Sequence, residues 1–506
     1  MRLQEFGADG VKEGRPWAVN VRRIVLLAGM NRGWRISYHM NLKKLPVWWL
    51  GAGIGHLIWI LTKRPPLIFT IRRGAEFITQ LRIQWLFMRR RAGSPVYPAV
   101  ATSPRWLGSA LTIQLLGSKD DIVAPEDNVD LVSGSDFVYL DVPYSGHADV
   151  IELDDSKHGA GRKEAFSLAL IGSKAKLEKA AIVPSDERFG APDETVNKVV
   201  FVIHGSRDER YWTHKIARRV KQRAIDRYRQ AVEQSRSASN TGAAIETVPA
   251  GPETWATETS SYGYFPMLPF LFPWTRRQKG EWLMDQYTEA LARYPRATFS
   301  YVGHSNGTYL LARALELYPC CRFENVVFAG SVVRQSYDWT RFQNAKPPRI
   351  KKVLNFVATC DWVVAFFQKF FQVLRLQYLG SAGHDGFKIT STINAQGVNQ
   401  VTYVRGGHGA AVEEPIWNVI ADFVETGEVD LGAIPGTAKA QNLFVKSAGI
   451  FPPIVWGVIA SFIMWIGYRI KMAVDANVGD PWSQGLATGL AFAAYALLLW
   501  MVLTRV

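Results

Sequence analysis

The stretch Thr298–Leu317, TFSYVGHSNGTYLLARALEL, decides how this chain is read. Its opening residues, TFSYV, are aromatic and β-branched enough to predict a strand over Thr298–Val302. Apolar residues then recur at helical spacing and predict a helix over Thr308–Leu317. Between the two stands Gly303-His304-Ser305-Asn306-Gly307. A strand that turns straight into a helix needs small residues on both sides of the turn, and Gly303 and Gly307 meet that need. Ser305 is then held exposed at the start of the helix.

Outward from this turn, residues 196–423 read as strands alternating with helices, the pattern of a mostly parallel sheet covered on both faces. Val199–Ile203 (VVFVI) is a continuous apolar run ending at His204-Gly205. Glu209–Gln234 is charged and helical, and residues 236–261 are loop-like, rich in Gly, Ser, Thr and Pro. The aromatic, proline-broken stretch Tyr262–Trp274 reads equally as a strand with a buried loop or as a lid or acyl-chain entrance. An amphipathic helix follows over Gly280–Tyr294. Further strands are expected at Asn325–Ala329, Lys352–Ala358 and Gln400–Val404.

A serine hydroxyl becomes a nucleophile only beside a base, and the base needs an acid to orient it. Asp361 follows the strand KVLNFVA, and His408 follows QVTYV within Arg405-Gly406-Gly407-His408-Gly409. Asp338 is a second candidate acid and His384, in Gly383-His384-Asp385-Gly386, a second candidate base. His304 reads as a packing residue and Cys360 as buried filler. An oxyanion needs two backbone donors, and the amide of Asn306, directly after the nucleophile, is expected to be one.

With G-x-S-x-G between strand and helix and the order Ser305, Asp361, His408, the chain resembles the α/β-hydrolase superfamily, on its esterase and lipase side. The resemblance covers residues 196–423 well and residues 15–180 in part. It implies an α/β-hydrolase fold, a mostly parallel sheet flanked by helices. His204-Gly205-Ser206 is similar to the His-Gly oxyanion motif of esterases and lipases, which implies the Ser206 amide as the second donor. No metal and no other cofactor is expected.

The partial resemblance rests on a half-repeat. Val25–Gly29 (VLLAG), followed by Trp34, parallels Val326–Gly330 (VVFAG), followed by Trp339. Leu111–Val123 (LTIQLLGSKDDIV) parallels Val353–Val364, and Phe137–His147 (FVYLDVPYSGH) parallels Val401–His408. Asp121 or Asp120 and His147 thus take the acid and base positions, while no G-x-S-x-G precedes residue 303.

Net charge is +15, yet residues 1–106 hold 18 Lys and Arg against 4 Asp and Glu, so the surplus belongs to the N-terminal fifth. A basic face beside apolar segments suits anionic headgroups. No zinc-finger, RNP-like or helix-turn-helix pattern accompanies it, so no nucleic-acid partner is expected. The three cysteines include an adjacent pair, Cys320 and Cys321, and favour a reducing compartment over a disulfide framework. Residues 1–20 show no signal-peptide core.

Ser447–Tyr468 and Pro481–Thr504 are uncharged, apolar and long enough to cross a bilayer as helices. Arg469, Lys471, Asp475 and Asp480 lie in the link between them, and a transmembrane helical hairpin is expected. Leu45–Thr62 is also apolar but flanked on both sides by basic residues, and reads as an interfacial or re-entrant helix or a cap element. The expected organisation is a basic region over residues 1–190, a catalytic domain over 191–430 facing the cytoplasm, and an anchor over 447–506; Arg469 and Lys471 argue mildly against that orientation. The expected function is a membrane-anchored serine hydrolase for a lipid or other apolar acyl ester. An acyltransferase with the same residues and a non-catalytic membrane scaffold are the alternatives.

Overall fold

Among the described residues the strands of each sheet pair in parallel, apart from one isolated antiparallel bridge between Val404 and Thr437, and most stand where the apolar runs lie. The computed structural model describes residues 21–35, 45–62, 64–89, 111–120, 122–123, 137–182, 192–205, 211–241, 251–263, 265, 270, 272–375, 378–390, 396–432 and 434–505. The chain divides into two units. One comprises Met1–Asn197, Gly280–Thr298 and Glu316–Cys321, and the other Lys198–Lys279, Phe299–Leu315 and Arg322–Val506.

In the first unit, β1 (Arg23–Leu27), β2 (Leu111–Gly117) and β3 (Phe137–Val142) form a sheet in that order. Helix α1 (Leu45–Thr62) and α2 (Glu76–Arg89) fall between β1 and β2, and α3 (Lys157–Ile171) follows β3. Ile113, Leu115, Leu140 and Val142 are fully or almost fully buried beside Ala169 and Leu177, giving this unit its own apolar core. Helix α1 is covered on one side only. His56 stacks on Phe69 at 4.4 Å, while Leu50, Leu57 and Leu61 are exposed.

The acid and base positions read in the half-repeat lie close to one another in this unit. His147 Nδ1 lies 3.1 Å from Asp120 Oδ2, and Asp120 Oδ1 accepts the Ile122 and Val123 N–H groups at 2.9 Å each. Asp120 thus meets His147; Asp121 lies outside the described residues. Ser145, nearby in sequence, is fully buried and accepts from Arg162 Nε at 2.8 Å, so it is a packing hydroxyl.

The basic surplus of the N-terminal region is not simply a face turned to headgroups. Glu281, Asp285 and Glu289, at helical i, i+4 and i+8 positions, form one acidic stripe. Asp285 pairs with Arg32 at 2.9 Å and with Arg73 and Arg82 at 2.7 Å each. Arg72 pairs with Glu281 at 2.7 Å, and Arg32 also pairs with Glu289. Arg32 and Arg82 are buried, so these guanidinium groups hold the unit together from inside. Charge composition alone cannot separate an internal arginine from an external one.

In the second unit the elements run β4 (Lys198–Ile203), α4 (Tyr211–Thr241), β5 (Trp255–Glu258), α5 (Pro273–Arg293), β6 (Thr298–His304), α6 (Asn306–Leu317), β7 (Phe323–Ala329), β8 (Ile350–Ala358), β9 (Val398–Val404) and α7 (Trp417–Thr426). Helix α5 runs on past Lys279 into residues that group with the first unit. The sheet order is β5-β4-β6-β7-β8-β9. Val199 to Ile203 are fully buried, as continuous apolar strands covered on both faces should be. Helix α7 stops at Gly427, which takes the left-handed conformation at φ 71° that a helix C-terminus favours.

Two expectations along this stretch need correction. Residues 236–261 are not loop throughout: α4 persists to Thr241, and Trp255–Glu258 is the edge strand β5, paired with β4 from Lys198 to Phe201. Small polar residues lower helix propensity by only about 0.5 kcal/mol each, too little to end α4 before Thr241. The aromatic stretch forms no strand among its described residues. Tyr262, Phe265 and Phe270 are buried, and α5 already begins at Pro273.

Two C-terminal helices, α8 (Pro452–Asn477) and α9 (Pro481–Arg505), are long and apolar enough to cross a membrane. Their apolar windows are 6% and 0% buried, so they are not the core of the unit that carries them. They meet at Gly467, where a Cβ would touch Phe492 at 3.4 Å, and Tyr495 donates to the Ile463 carbonyl at 2.9 Å. Arg469, Lys471 and Asp475 belong to α8 and not to the link, which is only residues 478–480. Lys471 and Asp475, one turn apart at 2.5 Å, suit a helix end. At the other end, residues 447–451 precede α8.

Candidate active site

The order of the six strands has one reversal. The chain passes from β4 outward to β5, then crosses back to β6 on the other side of β4 and continues away from it. The strand order thus reverses between β4 and β6, a switch point of the kind at which open parallel sheets bind ligands. His204-Gly205 leaves β4 and Ser305 leaves β6 at this point.

Ser305 has φ 51°, a left-handed conformation that costs a non-glycine residue about 1 kcal/mol or more. Its surroundings hold it there. The Ser305 N–H donates to the Ala329 carbonyl at 3.0 Å, and its own carbonyl accepts from the Thr308 hydroxyl at 2.7 Å. Gly307 explains the small residue of the motif: a Cβ there would lie 2.6 Å from the Ile203 carbonyl oxygen. The backbone of α6 can press on β4 only without a side chain. Gly205 is close by, its hypothetical Cβ 2.9 Å from Ser305 Cβ.

Asp361 is fully buried just beyond β8. His408 Nδ1 stands 3.0 Å from each of its carboxylate oxygens, and Oδ1 also accepts the Val364 N–H at 3.0 Å. With Nδ1–H donated to the carboxylate, Nε2 is the ring nitrogen left to take a proton. The loops carrying the two residues are tied together: Thr359 donates to Val404 at 2.8 Å, and Cys360 to Gly406 at 2.9 Å. His408 is set over Gly330, at the end of β7. A Cβ on Gly330, which has φ 54°, would lie 2.8 Å from His408 Cε1. Since Ser305 N bonds the adjacent Ala329 carbonyl, the serine turn and the histidine ring both border the end of β7.

Asn306 is fully buried as the first residue of α6, where backbone N–H groups have no carbonyl one turn behind them. Its side chain takes part in a chain of contacts that sequence reasoning missed. Asn306 Nδ2 donates to the Tyr262 hydroxyl at 3.2 Å, and that hydroxyl donates to the His204 carbonyl at 3.0 Å. Tyr262 also stacks on the His204 ring at 4.5 Å, and His204 Nε2 lies 2.7 Å from Ser261 Oγ. His204, directly after β4, is therefore tied to the start of α6 through Tyr262. Lys279 donates to the Tyr262 carbonyl at 2.8 Å, and burial holds its pKa below the usual lysine range. Tyr262 stood out only as one aromatic among many. Ser206 lies outside the described residues.

The alternative acid and base are occupied elsewhere. Asp338 Oδ1 accepts the Arg341 N–H at 3.4 Å, beside the short helix Thr340–Gln343. His384 is buried, with Nδ1 3.4 Å from Gln441 Nε2 and the recorded neighbouring carboxylate, Asp385, 3.9 Å from its Nε2. Burial holds its pKa below the usual imidazole range, Lys369 adds to that, and Asp385 and Asp361 oppose it. His304 packs edge-on against Trp212 and directs Nε2 to the His408 carbonyl at 3.2 Å. Among the described residues, no cluster of three or more His, Cys, Asp or Glu gathers to hold a metal ion.

The arrangement is a strained serine, an imidazole fixed by a buried carboxylate, and the N-terminal end of a helix directly after the serine. Chemically it can activate a hydroxyl and receive negative charge on a carbonyl oxygen. No family model, curated protein or solved structure matches the chain, so the geometry stands on its own.

Proposed function

We propose that this chain is a serine hydrolase that cleaves an acyl ester, held at a membrane by its two C-terminal helices. The observation that carries the reading is the pairing of His408 with the buried Asp361, at 3.0 Å, bordering the same strand end as the strained Ser305. Strain at a non-glycine residue persists only where its surroundings enforce it, and such residues gather at functional sites.

In the proposed reaction His408 Nε2 takes the Ser305 proton as Oγ attacks the ester carbonyl. Asp361 stabilises the imidazolium through Nδ1. The carbonyl oxygen, now negative, is held by the Asn306 amide and by a donor from the loop after β4, which Tyr262 positions. His408 returns the proton to the leaving alcohol, and water then attacks the acyl-enzyme by the same route. The apolar lengths of α8 and α9 and the buried aromatics at Tyr262, Phe265 and Phe270 favour an apolar acyl ester. The α/β-hydrolase fold and a membrane hairpin are the architectures that fit this reading.

The test is labelling of the detergent-solubilised protein with a fluorophosphonate probe. Wild type should label, and Ser305→Ala should not. A folded wild type that stays unlabelled, or a Ser305→Ala variant that labels equally, overturns the reading.

A further inference from the structure

The chain that leaves the candidate site on its acid side is apolar at the surface. Trp362–Leu374, WVVAFFQKFFQVL, follows Asp361 directly and contains one charged residue, Lys369, which pairs with Asp385 at 2.8 Å. Trp362, Val373 and Leu374 are exposed. A second apolar stretch, residues 443–451, lies against it, and in it Leu443, Phe444 and Phe451 are 77%, 75% and 61% exposed.

The two stretches are locked together. The Asn442 N–H donates to the Thr359 carbonyl at 2.9 Å, and Val445 is buried. Gly449 packs so closely that a Cβ there would lie 3.1 Å from His384 Nε2 and 3.5 Å from Ala365 Cβ. Trp456 donates its indole N–H to the Phe366 carbonyl at 3.1 Å, and its ring meets Phe367 at 4.7 Å and Phe370 at 5.9 Å. Trp456 is four residues into α8, about 6 Å along its axis. If α8 enters a bilayer, the segment after Asp361 is therefore held at the level where α8 enters it. Exposed Lys446 and Arg375 accompany the apolar side chains, the mixture that headgroups and upper acyl chains accommodate.

We propose that Trp362–Leu374 and residues 443–451 form one membrane-facing surface, seated in the interfacial layer of a bilayer, through which the site takes its ester from the leaflet and not from water. The proposal rests on the serine-hydrolase reading and on α8 as a membrane span. It names the substrate class as an acyl ester of a membrane-resident amphiphile. Neither Trp362–Leu374 nor residues 443–451 is long enough to cross a bilayer; what places them is their fixed attachment to a helix that is.

The test uses the full chain in phosphatidylcholine vesicles and a triple variant, Leu374→Ser, Leu443→Ser and Phe444→Ser, whose positions are exposed. Fluorophosphonate labelling of the variant in detergent, equal to wild type, shows the site intact. Hydrolysis of a long-chain fluorogenic ester dissolved in the vesicles should fall about tenfold, while a short water-soluble ester is cleaved within about twofold of wild type. Equal rates on the vesicle ester, or equal loss on both esters, overturn the proposal. A second readout is independent of catalysis. A fluorophore on Phe444→Cys should be quenched by a headgroup-nitroxide lipid, and one on Lys351→Cys, at the far end of β8 and roughly 25 Å from Asp361 by strand length, should not. No quenching at Phe444→Cys, or equal quenching at both, overturns the surface. Quenching at Phe444→Cys without any fluorophosphonate labelling overturns the hydrolase reading and leaves the surface standing.

Discussion

His408 Nδ1 is equidistant, at 3.0 Å, from both carboxylate oxygens of Asp361, a side chain with no exposure to solvent. An uncompensated carboxylate in such a place is costly, so the imidazole and the Val364 N–H stabilise it while it orients the ring. Replacing Asp361 with Asn removes the charge and lets the ring turn its other tautomer toward the site. The expected outcome is a fall in kcat of about 10³ to 10⁴ with the fold retained, measured on a soluble ester alongside circular dichroism. A loss below tenfold would mean that the pair is only structural.

Gly330 carries the His408 ring, and its φ of 54° and the 2.8 Å approach both exclude a side chain. Gly330→Ala should therefore displace the ring from Ser305 without touching any group of the proposed chemistry. A misplacement of ~1 Å is expected to lower kcat about 10²-fold. Esterase kinetics with a thermal melt as control separate displacement from unfolding; unchanged kcat in a folded variant would show the contact to be slack.

His384 gives the protein an acid-side weakness. Burial lowers its folded pKa beneath the ordinary imidazole value, so the native state holds it neutral. Its stabilising contribution is fully present above the unfolded value of about 6.5 and declines as pH falls from there toward the folded value. Thermal melts at pH 8 and at pH 5.5 should show a smaller acid-induced drop for His384→Gln than for wild type. Equal drops would place the acid sensitivity in other groups.

Asp285 faces Arg32, Arg73 and Arg82 within the first unit. Asp285→Ala leaves buried guanidinium groups uncompensated and should destabilise that unit by about 3–5 kcal/mol. An exposed pair such as Lys174–Glu178 is the control, since Lys174→Ala should change stability by less than about 0.5 kcal/mol. Urea unfolding followed by limited proteolysis reads both; equal effects would mean that the cluster is solvated.

How much of this was legible in the sequence differs from element to element. VVFVI, TFSYV and NVVFA read as strands because each is a local run of residues that pack on a pleated surface from both sides. The turn at Ser305 was legible because its small neighbours answer a local steric demand, met at Gly307 by the Ile203 carbonyl. The apolar lengths of α8 and α9 were equally plain, because twenty uncharged residues are a property of the chain alone. By contrast, WATE was read as loop, since a four-residue edge strand has no periodicity of its own and exists only because β4 offers a partner.

Legible in the chain alone were thus the apolar strands in their order, though not β5, the position of the strained turn, and two helices fit for a bilayer. The tertiary structure alone decided that His408 meets Asp361 and not Asp338, that Tyr262 ties His204 to Asn306, and that Arg32 and Arg82 face buried carboxylates. Each of these joins groups tens or hundreds of residues apart, and which groups meet is set by sheet register and helix docking. An arginine or an aspartate looks the same in sequence whether its partner is water or another side chain; only the folded chain chooses between them.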